Sequence, residues 1–240
     1  MDTNSNQARR VVIGITAHVD AGKTTLAEAM LYRTGQLRKL GRVDHGSAAM
    51  DSHLLERERG ITIFSSQAEL PIGDLEVTLL DTPGHVDFSA EMERTLSVLD
   101  YAILVISGAD GVQAHTRTLW RLLELYRIPT FLFVTKMDFG RCGRGQMMEH
   151  LRHELGEGCV DFTPADRERR MEQLATCRED ALEAYLDGGE VPDALVRQLV
   201  GRRLVFPCWF GSGLKLEGID EFLEGLARYV EPPVYPETFS

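Results

Sequence analysis

Residues 17–25 read Ala17-His18-Val19-Asp20-Ala21-Gly22-Lys23-Thr24-Thr25, and they lie between an apolar run, Val11–Ile15, and a helical pattern, Leu26–Leu31. The order strand, loop and helix is the setting that a phosphate-binding P-loop requires. Successive backbone N–H groups of the loop and of the free helix end point at one place, where they stabilise bound phosphate. A bare Gly-Lys-Thr can also be an ordinary helix start, and Ala17 stands where the first glycine of the pattern is usual. The flanking strand and helix favour the phosphate site.

Three residues of this stretch suit a phosphorylated ligand with a metal ion. Gly22 lets the backbone approach closely, because it has no side chain to collide with the ligand. Lys23 supplies a positive charge for the outer phosphates. The Thr24 hydroxyl suits Mg²⁺, which is a hard ion that prefers oxygen ligands.

The bulk composition excludes some classes of protein. At 240 residues with 43% apolar residues, the chain can bury a full core as one domain. Its formal net charge of −11 argues against nucleic-acid binding through a broad basic face. The polar N-terminus has no signal region and no stretch is long enough to span a membrane, so we expect a soluble, cytoplasmic protein without membrane contact. The cysteines form no Cys-x-x-Cys pair and are predicted to be reduced thiols: Cys142, Cys159, Cys177 and Cys208.

A β-hairpin is predicted after a long polar stretch, Gly35–Gly60. One strand begins at Ile61–Phe64, and a second, Leu75–Leu80, ends at Asp81. The segment Pro71–Asp74 between them has hairpin turn chemistry, so the two strands should be antiparallel neighbours. Connections as long as the polar stretch are usually functional or mobile in compact domains.

The rest of the chain alternates between buried strands and helices. The apolar runs Tyr101–Ile106 and Thr130–Val134 flank a helical pattern, Thr116–Tyr126. A late strand, Leu204–Phe210, is followed by a last helix, Gly218–Val230. Continuous apolar strands between amphipathic helices predict a mainly parallel α/β sheet that is covered on both faces.

Residues 140–203 break this alternation. Apolar residues recur there at helical spacing, which predicts a helical insertion. Within it, His150 and His153 lie three residues apart, which is the spacing of half a metal site. No framework of carboxylates or thiols accompanies them, so the pair favours a solvated helix face.

Three further groups suit the chemistry of a phosphate and its metal ion. Asp81 ends a strand, and a carboxylate one strand from the P-loop can hold Mg²⁺ through water. Gly84, three residues later, offers an unobstructed N–H to a terminal phosphate. The hydroxyl of Thr62 would reach the Mg²⁺ only when a γ-phosphate draws the polar stretch inward, which would make that stretch an order–disorder switch.

The segment Thr135-Lys136-Met137-Asp138 is the candidate for reading a base. A carboxylate accepts two hydrogen bonds from the N–H groups of guanine, and adenine has no matching pair, so a buried Asp138 would be left unpaired by ATP. The stem of Lys136 can lie over the base. The segment Ser212-Gly213-Leu214-Lys215 follows a late strand, where a backbone N–H can meet the guanine carbonyl oxygen.

The order of four motifs resembles that of translational GTPases. These motifs are Ala17–Thr24, Arg59–Thr62, Asp81–His85 and Thr135–Asp138. Within that group, the residues around Val43–Gly46 and Leu54–Thr62 look most like tetracycline-resistance ribosomal-protection proteins. Those proteins are elongation factor G paralogues that dislodge tetracycline from the ribosome.

The resemblance covers Arg10–Val230 and implies the fold of a P-loop NTPase G domain. That fold is α/β, with a mostly parallel doubly wound sheet and one antiparallel edge strand, here joined by the helical insertion at about 141–203. It implies a flexible N-terminus at 1–9, a GTP-binding domain at 10–231, and the start of a linker to an absent following domain at 232–240.

The resemblance also implies GTP or GDP and Mg²⁺ as ligands. Thr24, Thr62 and Asp81 would hold the metal, and the implied catalytic residues are His85, Lys23, Thr62 and Gly84. The implied nucleotide contacts are His18, Val19, Asp20, Ala21, Gly22, Lys23, Thr24, Thr25, Thr135, Lys136, Asp138, Ser212, Gly213 and Leu214.

The resemblance implies roles in hydrolysis or in ion binding for four residues. His85 would orient the attacking water, which is the role of a glutamine in other GTPases. Val19 and Ile61 would form an apolar gate beside His85 until a ribosome draws it in. Asp20 is a candidate to help place a monovalent cation.

The sequence departs from the family pattern at two positions. Thr135 stands where asparagine is usual, and its shorter hydroxyl cannot tie the base and the P-loop together as an amide would. We therefore expect guanine specificity through Asp138 but weaker affinity. Gly213 stands where alanine is usual, and we expect little change there because the backbone makes the contact.

The implied function is that of a GTPase acting on the ribosome, with slow turnover until the partner activates it. A housekeeping elongation or release factor paralogue is a second possibility, and a nucleotide-gated binding module with little hydrolysis is a third. An ATPase is least favoured. We expect the isolated domain to be monomeric, and ribosome contact by so acidic a domain would use local basic points such as Arg38, Lys39, Arg57 and Arg59.

Overall fold

The computed structural model describes residues 9–38, 67–82, 90–139, 142–163 and 167–232. The strands in these ranges are β1 (Arg9–Ala17), β2 (Gln67–Ile72), β3 (Leu75–Asp81), β4 (Tyr101–Ser107), β5 (Thr130–Thr135), β6 (Cys159–Asp161) and β7 (Phe206–Phe210). The helices are α1 (Lys23–Arg33), α2 (Ala90–Ser97), α3 (Ala114–Leu125), α4 (Arg144–Leu155), α5 (Arg167–Ala175), α6 (Glu179–Gly188), α7 (Asp193–Gly201) and α8 (Ile219–Tyr229).

The described strands form one seven-stranded sheet in the order β2-β3-β1-β4-β5-β7-β6. Every pairing is parallel except that of β2 with β3, which form an antiparallel hairpin at one edge. The predicted α/β class, the mostly parallel sheet and the single antiparallel edge strand are therefore confirmed. The turn of the hairpin is shorter than predicted, because Pro71 and Ile72 belong to β2 and the chain reverses at Gly73, whose φ is +62°.

The register brings the carboxyl ends of the strands to one edge. Ile15 pairs with Asp81 across β1 and β3, and Ser107 pairs with Thr135 across β4 and β5. In open parallel sheets the loops that follow these ends bind ligands. The fold thus gathers the segments that follow β1, β3, β5 and β7 on one side of the molecule.

Alternate residues of the central strands enter two separate apolar cores, one on each face of the sheet. Ile103 and Val105 of β4 lie in the core covered by α1, α5, α7 and α8. Leu104 and Ile106 of the same strand lie in the opposite core, against α3 and α4. Because both faces are covered, these strands read as continuous apolar runs.

The region predicted as a helical insertion also contains a strand. β6 is only three residues long, and it pairs in parallel with β7 as the other edge of the sheet. A strand this short has no periodicity that could be recognised beside its helical neighbours. The late strand also begins later than predicted, at Phe206, and the predicted strand start at Ile61–Phe64 lies outside the described residues.

His150 has a structural partner. Its Nε2 accepts a hydrogen bond from the backbone N–H of Val112 at 3.1 Å, and Gly111, with φ +69°, passes close beneath the ring. His153 is 84% exposed and contacts Glu154. The interpretation of a solvated helix face therefore holds for His153 and is wrong for His150. Among the described residues, no cluster of side chains could hold a metal ion.

The four cysteines are free thiols, as predicted. Cys159 and Cys208 are fully buried in the core between β6, β7 and α4, and burial raises the pKa of the Cys208 thiol. No helix among the described residues has the length and apolar character of a membrane span.

Arg203 links α3, the start of β5 and the start of β7 on one face of the sheet. Its guanidinium lies 5.0 Å from the ring centroids of both Trp120 and Phe206. It also donates to the carbonyl of Ile128 and, at 3.0 Å, to the hydroxyl of Thr130. One side chain thus satisfies polar groups at the start of β5 while it packs against two aromatic rings.

We predict that Arg203→Met lowers the free energy of unfolding by about 2 kcal/mol, because cation–π contacts and hydrogen bonds to partly buried groups are lost together. Urea denaturation monitored by circular dichroism measures this. The matched control is Arg202→Met, since Arg202 is exposed at the neighbouring position. Equal losses in the two variants would contradict this role of Arg203.

Candidate nucleotide-binding site

The P-loop of residues 18–22 connects β1 directly to the first turn of α1. Gly22 is the N-cap of α1 with φ +94°, a conformation that a side chain would strain. The first N–H groups of a helix have no intrahelical acceptor. Gly22 provides no side-chain cap, and the first turn contains no acidic residue. This helix end is therefore suited to an anion.

The lysine of the P-loop contacts the aspartate at the end of β3. The Lys23 ammonium donates to Oδ1 of Asp81 and, at 3.1 Å, to the backbone carbonyl of Thr82. Thr82 is itself fixed, because its hydroxyl donates to the carbonyl of Ile15 at 2.9 Å. The lysine predicted to bind phosphate and the carboxylate predicted to bind Mg²⁺ are thus held side by side.

The base-reading segment is hydrogen-bonded to the P-loop at two points. The Thr135 hydroxyl donates to the carbonyl of Ala21 at 2.6 Å, and the Lys136 ammonium donates to the carbonyl of Asp20 at 2.6 Å. Thr135 is 4% exposed, whereas the Lys136 contact lies at the surface. Because a hydroxyl has one hydrogen, the short bond to Ala21 uses the only donor of Thr135. This agrees with the expectation that Thr135 cannot tie the P-loop and donate to a base together.

Asp138 differs from the sequence expectation of a buried carboxylate. Its side chain is 40% exposed, and its Oδ2 accepts a hydrogen bond from the Lys215 ammonium at 2.8 Å. This bond lowers the pKa of the Asp138 carboxyl and raises the pKa of the Lys215 ammonium. Lys215 stands in a motif that the sequence singles out, but no local pattern indicates its partner.

The segment after β7 forms a closed turn beside the P-loop helix. Ser212 and Glu217 exchange two backbone hydrogen bonds of 2.9 and 3.0 Å. Gly213 lies so close to α1 that a Cβ atom there would be 2.8 Å from the carbonyl oxygen of Thr25. The expectation of little change at Gly213 concerned only its backbone contact with the base. The structure shows a different contact, in which the absence of a side chain allows the turn to pack on the backbone of α1. Leu214 is 71% exposed at the tip of the turn.

The residues predicted to contact the nucleotide, so far as the structure describes them, lie around the P-loop. His18 is partly buried, with its ring 5.6 Å from that of His115 at the start of α3, and Val19 is 55% exposed. Thr24 lies in the first turn of α1. The predicted Thr62, Gly84 and His85, and with them the gate residue Ile61, lie outside the described residues.

An uncapped P-loop helix, the carboxylate predicted to bind a metal ion and the segment predicted to read a base lie on one sheet edge, which is the arrangement of a guanine-nucleotide-binding domain. The chain belongs to the family of elongation factor Tu GTP-binding domains, whose model matches residues 8–232. It is thus a translational GTPase domain.

Curated relatives carry names of antibiotic-resistance proteins. The chain is 41% identical over 249 residues to the oxytetracycline resistance protein of Streptomyces rimosus, covering 93% of this chain and 37% of the relative. It is 39% identical over 249 residues to the tetracycline resistance protein TetM of Streptomyces lividans, covering 96% of this chain and 39% of the relative. Identity to the tetracycline resistance protein TetO of Campylobacter jejuni is 35% over 230 residues, covering 90% and 36%. The chain therefore spans less than two fifths of the length of these relatives.

A solved structure has the same fold. A crystal structure of a protein from Thermus thermophilus matches with a TM-score of 0.79 and 28% identity. The match covers 94% of this chain and 41% of that one.

We predict that Thr135→Asn binds GDP roughly three to ten times more tightly, because an amide can donate to the Ala21 carbonyl and still offer a second polar group to the base. Isothermal titration calorimetry measures the change. Thr135→Val is the control of matched shape, which removes the hydroxyl and should weaken GDP binding. Unchanged affinity in Thr135→Asn would contradict the prediction.

Proposed function

We propose that this domain binds GTP and GDP with Mg²⁺ and hydrolyses GTP when a ribosome activates it. The observation that carries the proposal is the pair of hydrogen bonds from Thr135 and Lys136 to the P-loop. They hold the proposed base-reading segment next to the proposed phosphate-binding segment, at a separation that one nucleotide would span.

The donor set fits a nucleotide and its metal ion. The hydroxyl of Thr24 and the carboxylate of Asp81 are the oxygen ligands that Mg²⁺ prefers, and the metal would neutralise charge on the phosphates. Lys23 would direct a further N–H to the outer phosphates, since its ammonium has three donors and the contacts with Asp81 and Thr82 use two of them. Asp20 would help to place a monovalent cation.

Hydrolysis in this proposal depends on residues assigned by the family resemblance. His85 would orient the attacking water, Gly84 would donate its N–H to the terminal phosphate, and Thr62 would be a further oxygen ligand for the metal when the γ-phosphate is present. Phosphoryl transfer to water needs positioning and charge neutralisation more than covalent chemistry. Turnover is therefore slow in the free domain and fast when a partner draws His85 into place.

The names of the relatives support a more specific proposal for the intact protein. We infer that it acts in the cytoplasm as a ribosomal-protection protein against tetracycline, with this domain supplying the nucleotide switch. A housekeeping elongation or release factor is the alternative. The proposed ribosome contacts are local basic residues such as Arg38 on an otherwise acidic domain, which we propose is monomeric on its own.

The first prediction concerns the base. In calorimetric titrations with Mg²⁺ present, the wild type should bind GDP and give no signal with ATP. Adenine has no pair of N–H groups that matches the two oxygens of Asp138. Asp138→Asn should lose at least about tenfold in GDP affinity. Equal binding of both nucleotides, or of neither, would overturn the proposal of a guanine site.

The second prediction concerns activation. Phosphate release from GTP, measured with and without 70S ribosomes, should rise on addition of ribosomes to the full-length protein. His85→Ala should lower the stimulated rate by at least about a hundredfold and leave GDP binding unchanged, since His85 acts on the water. A stimulated rate that survives in His85→Ala would refute the role of His85, and ribosomes without effect would support the binding-module alternative.

A further inference from the structure

The ion pair between Asp138 and Lys215 joins two loops that are remote in the sequence. Asp138 follows β5 and Lys215 follows β7, and the parallel pairing of these strands brings the two side chains within 2.8 Å. Their side chains are 40% and 50% exposed respectively. The pair thus lies at the open face of the site, where a base would enter.

Lys215 is presented by a turn with little freedom. Ser212 and Glu217 close the turn with two backbone hydrogen bonds, and the Lys215 backbone N–H lies 3.3 Å from the Ser212 hydroxyl oxygen, which accepts it. Leu216 has φ +58°, in the left-handed region. The backbone of Lys215 is therefore held by the same turn whose Gly213 packs against α1, and the ammonium is held by its contact with Asp138.

The chemistry of the carboxylate allows it to bind the lysine and a guanine together. An ionised carboxylate has about four lone-pair positions. The N1–H and the 2-amino group of guanine would use one position on each oxygen, and a third position remains for the ammonium. The lysine therefore does not have to leave when guanine binds.

The same contact acts on the charge and on the orientation of the carboxylate. The Lys215 ammonium lowers the pKa of the Asp138 carboxyl, which as an exposed aspartate is ionised at neutral pH in any case. The contact also restricts rotation of an otherwise half-exposed side chain, so less conformational entropy is lost when the base binds. Within the described ranges, the one carboxylate besides Asp138 that acts electrostatically on Lys215 is Glu217.

We propose that Lys215 is a positioning residue for base specificity, which holds the Asp138 carboxylate oriented toward the guanine edge. This inference rests on the proposed guanine site and adds a residue to it. Lys215 does not touch the reacting phosphates in this assignment. Its effect reaches the nucleotide only through Asp138.

The test compares Lys215→Met with the wild type in calorimetric titrations with GDP and IDP, the diphosphate of inosine. IDP lacks the 2-amino group, so it uses only one of the two acceptors. GDP binding should weaken roughly three- to tenfold in Lys215→Met, IDP binding should weaken less, and Lys215→Arg should recover most of the loss. The matched control is Arg10→Met, which removes an exposed cation paired with Glu76 at the start of β1 and should leave both affinities unchanged.

A second background separates an action through Asp138 from a direct one. Asp138→Asn presents an amide, whose donor suits the oxygen that xanthine carries in place of the amino group. In that background Lys215→Met should change the affinity for XDP, the diphosphate of xanthosine, by less than about twofold. The neutral amide cannot form the ion pair by which Lys215 orients the carboxylate.

Two results would overturn the inference while leaving the guanine site intact. One is GDP binding that depends on Asp138 but is unchanged in Lys215→Met. The other is an equal loss in both backgrounds, which would mean that Lys215 acts on the nucleotide or on the fold directly. A wild type that binds no GDP would instead overturn the proposed function itself.

Discussion

The arrangement of this domain depends on the parallel hydrogen bonding of β1 with β3 and β4, and of β5 with β4 and β7. Parallel pairing places the carboxyl ends of all these strands at one edge of the sheet. Polar segments that are far apart in sequence therefore meet there, close enough to contact one another. The two apolar cores supply the stability, and the loops are free to carry charged residues and glycines with positive φ such as Gly22.

Contacts between the loops are as specific as the contacts within the sheet. The charged groups assigned to the ligand have partners of opposite charge already in place: Lys23 with Asp81 and Lys215 with Asp138. An ion pair between partly exposed groups contributes little to stability. Its value here lies in orientation, since each group is held near the position that it would take beside a nucleotide. The ligand then meets an ordered site, which lowers the entropic cost of binding.

Much of this could be predicted from the sequence, because the signals are local. The P-loop between an apolar strand and a helix, and Asp81 at a strand end, are each recognisable from their immediate neighbours. The missed features arise from tertiary structure. β6 is too short to show a period, and its place follows from pairing with β7. The partners of His150 and Asp138 come from segments 38 and 77 residues away, and nothing near either residue indicates them.

The hydrogen bond from Thr135 to the Ala21 carbonyl also has a consequence for the neighbouring amide proton. In a trans peptide the C=O and the N–H of the next residue point in opposite directions. A carbonyl of Ala21 that is turned toward β5 therefore turns the N–H of Gly22 away from β5, to the far side of the peptide plane. A hydroxyl in the base-reading segment thus sets the direction of a dipole in the phosphate loop, and a change in either segment alters the electrostatic field in the other.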